Sequence, residues 1–165
     1  MAIENAPRLA AQGAPHGIDL FLYAAVSVDI AEGDRALADV LRDRALTLEQ
    51  WTEATAFWSQ RMAEDARPDA SGNVTPRVAL LFSDAFARAQ DDKRPLVPLS
   101  ADAWAELVHD AEEASLAEAL AKRGLRMADH SRLVRHWAKA LATDAALRAR
   151  YESRRASLGN TLEGV

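Results

Sequence analysis

The 165-residue chain has no cysteine. Disulfides, thiol nucleophiles and thiolate zinc sites are therefore excluded. It also lacks long apolar runs. The most apolar stretch, "GIDLFLYAAVSVDIA" at residues 17–31, contains Asp19 and Asp29 and is shorter than the roughly 20 residues a membrane span needs. It reads as a buried helix, and no membrane insertion is expected. The seven glycines are scattered, so no phosphate-cradling glycine loop is written. Nucleophile elbows and zinc-protease motifs are missing, as are alternating strand patterns. The opening "MAIENAPRLAAQGAPHG" has no basic region followed by an apolar one and does not read as a secretory signal. Residues 1–16 read as a flexible arm, and cytoplasmic residence is expected.

What is present is helical. Apolar residues make up 49% and charged residues 27%, as in ordinary globular proteins. Helices are predicted over residues 18–32, stopped by Gly33, and 35–44. The next starts at Thr47, where "TLEQ" places Gln50 three residues on as a capping box. "ARPDASGNVTP" reads as a loop, after which Thr75 caps a fourth helix with Pro76 at its first position. The proline-containing "DDKRPLVPLS" is a second break. Ser100 caps a helix over 101–113. Helices over 116–123, ending at Gly124, over 127–142, and over 145–157 behind Asp144 complete the chain.

The second half repeats the first. At an offset of 79 residues Leu37 matches Leu116, Leu41 matches Leu120, Arg44 matches Arg123, Leu46 matches Leu125, Trp58 matches Trp137 and Asp65 matches Asp144. With two residues deleted, Tyr23 matches Trp104 and Asp29 matches Asp110; beyond the ten-residue loop Phe82 matches Tyr151. The expected fold is all-α, about eight helices in two tandem four-helix repeats (18–91 and 99–158). These form one domain over 17–158, with a flexible tail at 159–165. Such repeats arise because one unit cannot bury its apolar face alone. They point to a non-catalytic binding scaffold.

Helical periodicity puts Leu48, Trp51, Ala54, Thr55, Trp58 and Met62 on one buried stripe, and Met127, His130, Leu133, Val134, Trp137 and Leu141 on its counterpart. His130 thus stands where Trp51 stands, as a pH-sensing or ligand-touching candidate. The outward faces differ. One presents Glu53, Phe57 and Gln60; the other presents Arg132, Arg135, His136 and Lys139. An outward aromatic concentrates binding energy, and a basic stripe suits an acidic partner. These seven residues form the candidate partner-binding surface.

Charge is uneven. Residues 1–114 carry 10 basic and 20 acidic residues, and residues 115–158 carry 10 and 4. Residues 115–142 have the outline of a helix-turn-helix with basic outward side chains, which makes a DNA-binding regulator the alternative. The first repeat has the same outline with an acidic outward face, and the chain's pI near 5.4 makes nucleic acid a poor partner. For catalysis the chain offers one Glu-x-x-His pair, Glu106 and His109, where a di-iron bundle needs two. Asp102, Glu106, His109 and Glu113 read as a polar helix face. No enzymatic activity and no cofactor are expected. A small-ligand site near His130 is a third reading, and homo-oligomerisation is open.

"LADVLRDRALTLEQW", "FWSQRMAED", "PLSADAWAEL", "LAEALAKRGL" and "HWAKALATDAALRARY" together resemble a group of bacterial two-repeat helical proteins. Members often occur beside genes for type VI secretion spike components and effectors. The resemblance implies an accessory role: an effector adaptor, chaperone or immunity partner. The chain departs from the pattern in having Ala45 where a glycine precedes the Leu, and in the long loop after Asp65.

Overall fold

A computed structural model of the chain describes residues 6–68, 72 and 74–159. Among these the protein is all-helical, with nine α-helices and no strand. Where the sequence predicts one domain over 17–158, the chain gathers into two compact units, Met1–Arg94 and Pro95–Val165. Each has its own apolar cluster, and the boundary falls in the proline-containing break.

The first unit contains α1 (Ala6–Ala11), a 3₁₀ turn (Pro15–Gly17), α2 (Leu20–Glu32), α3 (Leu37–Asp43), α4 (Leu48–Asp65) and α5 (Arg77–Lys93). The expectation of a flexible arm over 1–16 is corrected for its described part. Residues 6–11 are helical, Ala10 is buried, and Leu9 packs on the core. Helix α2 is hydrophobic enough to be enclosed: Leu20, Tyr23, Ala24, Val26 and Val28 are all buried. It pairs with α5, while the 3₁₀ turn lies on α4. Trp58, fully buried, anchors this cluster with Ile18, Leu20 and Val26.

The predicted caps form where backbone N–H groups lack helical partners. Gln50 N–H donates to Thr47 Oγ1 (3.1 Å) and Thr47 N–H donates to Gln50 Oε1 (2.9 Å). Gly33 ends α2 with φ of 70°, a left-handed geometry that glycine adopts without a Cβ clash. Thr75 does not cap α5; Pro76 occupies that place without a side-chain hydrogen bond. The Val78 N–H instead donates to Asp65 Oδ2 at the end of α4 (2.6 Å).

The second unit contains α6 (Ala101–Glu113), α7 (Leu116–Ala121), α8 (Met127–Thr143) and α9 (Ala145–Gly159). Helix α6 pairs with α7 and α9, and α8 with α7 and α9. Ser100, Ser115 and Asp144 cap α6, α7 and α9 through side-chain oxygens. Trp104, Leu107, Leu120, Leu133 and Trp137 form the core. Gly159 closes α9, so the predicted tail lies, beyond that residue, outside the described ones.

The predicted buried stripes hold only in part. Trp51, Ala54, Trp58, Leu133 and Trp137 are buried, but Leu48 (62%), Met127 (54%) and Val134 (42%) are exposed. In their place α8 buries Asp129 and Arg132, a charged pair three residues apart. Burial of a charge is tolerable only with such pairing.

Candidate functional site

The candidate partner surface divides between the units. Glu53, Phe57 and Gln60 lie on α4 of the first; Arg132, Arg135, His136 and Lys139 lie on α8 of the second, as does the separate ligand or pH-sensing candidate His130.

On α4 the predicted outward face already holds a segment of its own chain. Phe57 is half-buried and packs on the first core. Its ring meets Trp58 edge-on, with centroids 4.9 Å apart. Gly13 crosses it so closely that a β-carbon there would sit 3.4 Å from Phe57 Cζ, and its φ of +73° also favours glycine. Glu53 Oε2 and His16 Nε2 lie 2.6 Å apart. The Trp58 indole Nε1 donates to the Ile18 carbonyl at 3.0 Å. Gln60, exposed, donates to Glu64 Oε1 one turn on (2.9 Å). Residues 13–18 thus meet α4 at three points: the His16 ring at the exposed Glu53, the Gly13 backbone beside Phe57, and the Ile18 carbonyl at Trp58. Phe57 is not a free anchor, because it already has an occupant.

On α8 the residues separate by burial. Arg132, expected outward, has a side chain only 1% exposed, and Asp129 Oδ1 lies 3.5 Å from its Nη1. Arg135 is half-buried; His136 and Lys139 are exposed. His136 stands edge-on to Trp137, centroids 5.1 Å apart. Trp137 is buried, and its Nε1 has no hydrogen-bond acceptor among the described residues. Burial tends to raise the Asp129 pKa, but hydrogen bonds from Arg126 outweigh it and hold the carboxyl below its usual range.

His130 packs against Trp104, ring centroids 6.0 Å apart, and Trp104 lies parallel to Trp137 at 6.4 Å. Burial pushes the His130 imidazole pKa down, which favours the neutral ring. Trp51 makes the matching contact with Tyr23 in the first unit, at 5.1 Å.

The polar face of α6 is engaged with α9. Asp102 accepts from Arg150 (2.6 Å) and Glu106 from Arg154 (2.5 Å). The Arg150 hydrogen bond holds the Asp102 pKa below the usual carboxylate range. Among the described residues, no three His, Asp or Glu side chains gather as metal ligands.

Two features escaped the sequence reading. An open apolar groove between α3 and α4 is lined by Leu37, Leu41, Ala45, Leu46 and Leu48. Its signal was Leu48, an apolar residue in the first turn of α4 that stands exposed. The second is an ion-pair cluster at the C-terminal end of α2, in which Asp29 and Glu32 are buried. Asp29 accepts from Arg44 (2.6 Å) and from Lys93, and Arg94 reaches Glu32 and Asp34. The chain as a whole matches no protein-family profile, no curated protein and no solved structure.

Proposed function

We propose that the protein is a non-catalytic protein-binding module whose two units share a related four-helix repeat (α2–α5 and α6–α9), and that the α8 face receives a partner segment. The observation that carries this reading is the covered face of α4. There the same helix position holds a chain segment through Glu53, Phe57 and Trp58.

Paired contacts support the relation between the units. Asp29 binds Arg44 in one, and Asp110 binds Arg123 in the other. Asp65 caps α5 through the Val78 N–H, and Asp144 caps α9 through the Leu147 N–H. Leu46 N–H donates to Leu41 O, and Leu125 N–H to Leu120 O, both beside a left-handed residue, Ala45 or Gly124. Phe57 on Trp58 and His136 on Trp137 are both edge-on pairs. Each contact joins residues at corresponding positions of the two repeats. Ion pairs, caps and turns of this kind fix a fold, so the chemistry that differs between the units is left for recognition. That difference is Phe57 under its own segment against exposed, basic His136 and Lys139.

The motif resemblance to two-repeat proteins of type VI secretion clusters supports an accessory role: adaptor, chaperone or immunity partner. The test is affinity capture with the tagged full chain from its own cell lysate, at low and moderate salt, with mass-spectrometric identification. One dominant protein retained at moderate salt, and lost from Arg135→Glu/Lys139→Glu, is the expected result. Recovery of nucleic acid alone, at low salt only, would replace this reading with DNA contact by α8.

A further inference from the structure

We infer that α9 is a charge-held strap on the second unit. It leaves α6 as one helix when salt screens its arginines, and α6, α7 and α8 stay folded beneath it. Release uncovers a row of carboxylates on α6 and the apolar surface on which Leu147 and Tyr151 pack. This motion is independent of whether the α8 face binds a partner.

The two units hold their last helices by different means. In each, the last helix of the repeat pairs with the first, α5 with α2 and α9 with α6. Helix α5 buries Val78 and Leu81, and both belong to the first apolar cluster. Helix α9 buries no residue along its whole length. Among the described residues, the buried members of the second cluster all lie on α6, α7 and α8, Trp104, Leu120 and Leu133 among them. To that cluster α9 adds only the half-buried Leu147 and Tyr151. Stacking of Trp104 on Trp137 joins α6 to α8 without α9. The buried core of the second unit is therefore closed before its last helix arrives.

What α9 has instead is charge. Arg150 and Arg154, one turn apart, meet Asp102 and Glu106, one turn apart on α6. Arg150 grips both Asp102 oxygens, through Nε at 3.1 Å and Nη2 at 2.6 Å. Arg155 Nη2 donates to Glu112 Oε2 at 2.5 Å. All six side chains reach solvent, the least exposed being Arg155 at 26%. An open polar groove, lined also by Ser153 and Ser157, runs along the seam. Ion pairs in such a setting fix geometry, add little stability each, and weaken in salt. The screening length falls from about 10 Å at 0.1 M salt to about 3 Å at 1 M, whereas burial of the α5 kind is not screened. The enclosed Arg155 Nη1 has no acceptor among the described residues, a loss that water makes good when α9 leaves. Asp144 alone separates α9 from α8, so the helix can turn about one residue.

The test is hydrogen–deuterium exchange of the full chain, read peptide by peptide at about 0.05 M and about 1 M sodium chloride and corrected for intrinsic rates. At high salt residues 145–158 should exchange about tenfold faster or more, while α5, α6, α7 and α8 change by less than about twofold. Arg150→Gln/Arg154→Gln should release α9 at low salt and remove most of its salt response. The crossed pair Glu106→Arg/Arg154→Glu should hold α9 again where Arg154→Glu alone does not. Unchanged protection of α9, in salt and in the glutamine variant, would mean that Leu147 and Tyr151 hold the helix, and it overturns the strap. Joint loss of protection in α6, α8 and α9 at high salt overturns it too, because α9 would then belong to the core. The salt series needs no substitution, so it decides even where a variant unfolds.

Discussion

Trp58 and Trp137 occupy matching positions, and replacing each with Phe should have very different consequences. Trp58 is fully buried and bonded to the Ile18 carbonyl at 3.0 Å. Trp58→Phe removes the ring atoms that fill its part of the core, costing about 1–2 kcal/mol at roughly 0.8 kcal/mol per buried methylene equivalent. It also leaves the Ile18 carbonyl unpaired, at about 1–3 kcal/mol. Together these amount to about 2–5 kcal/mol. Trp137→Phe loses a similar ring volume, but it also removes a buried N–H that has no acceptor. That relief returns about 1–3 kcal/mol, so the net change lies within about 1–2 kcal/mol of zero. Hydrogen–deuterium exchange read peptide by peptide separates the two units, which a single unfolding midpoint would merge. Trp58→Phe should speed exchange across α2 and α4 and abolish protection of residues 6–18. Trp137→Phe should leave α6 and α8 nearly as protected as before. Equal loss of protection in the two variants would refute the reasoning, because it would mean the Trp137 N–H is already satisfied.

Other perturbations test the remaining contacts. Burial raises the Asp29 pKa, but hydrogen bonds from Lys93 and Arg44 outweigh it and hold the carboxyl below its ordinary value of 3.8. Its contribution to stability is therefore present above about pH 4 and lost as pH falls further. Asp29→Asn should cost about 1–3 kcal/mol, reduced by the partial exposure of Arg44 and Lys93. The more exposed Asp110→Asn should cost less, both read by urea titration at pH 7. The backbone swap should act in opposite directions: Ala45 holds φ of 54° and Gly124 holds 64°. Ala45→Gly relieves strain of about 1–2 kcal/mol against a smaller entropy cost, so the first unit gains stability, whereas Gly124→Ala weakens the second. Nothing within 4 Å would obstruct the added methyl, so loss of protection in α7 and α8 would report the backbone alone. For His130, whose pKa burial lowers, the unfolded chain binds the proton more readily. Stability of the second unit should then fall as pH drops below about 6.5, and His130→Phe should flatten that slope in a pH series of exchange measurements.

Much of the fold was legible because helices announce themselves locally. The Thr47 capping box, the Gly33 stop and the Ser100 and Asp144 caps depend on residues within three positions of each other. What resisted reading depends on distant chain. The six-residue α1 is too short to show a period, and it is helical where Ala10 and Leu9 meet α2 and α5. Thr75 was the obvious cap for α5, but Asp65 reaches the α5 N-terminus from across the loop. An angular wheel likewise sorts residues by polarity, whereas burial is decided by which neighbours arrive. Hence Met127 and Val134 are exposed while Asp129 and Arg132, able to neutralise each other, are enclosed.

The candidate surface shows the same division between local and distant causes. That Phe57 and His136 stand one position before the buried tryptophan of their helices follows from spacing on α4 and α8. That Phe57 is half-buried while His136 is exposed follows from residues 13–18, thirty or more positions upstream of α4. The histidine written in place of the aromatic therefore has a physical correlate. Where the chain supplies its own covering segment, the helix position is a phenyl ring that packs under a glycine. On α8, where no such segment lies among the described residues, an exposed phenyl would leave apolar area in water, at about 25 cal/mol per Å², and would invite nonspecific association. An imidazole keeps the edge-on contact to the neighbouring tryptophan and remains hydrated.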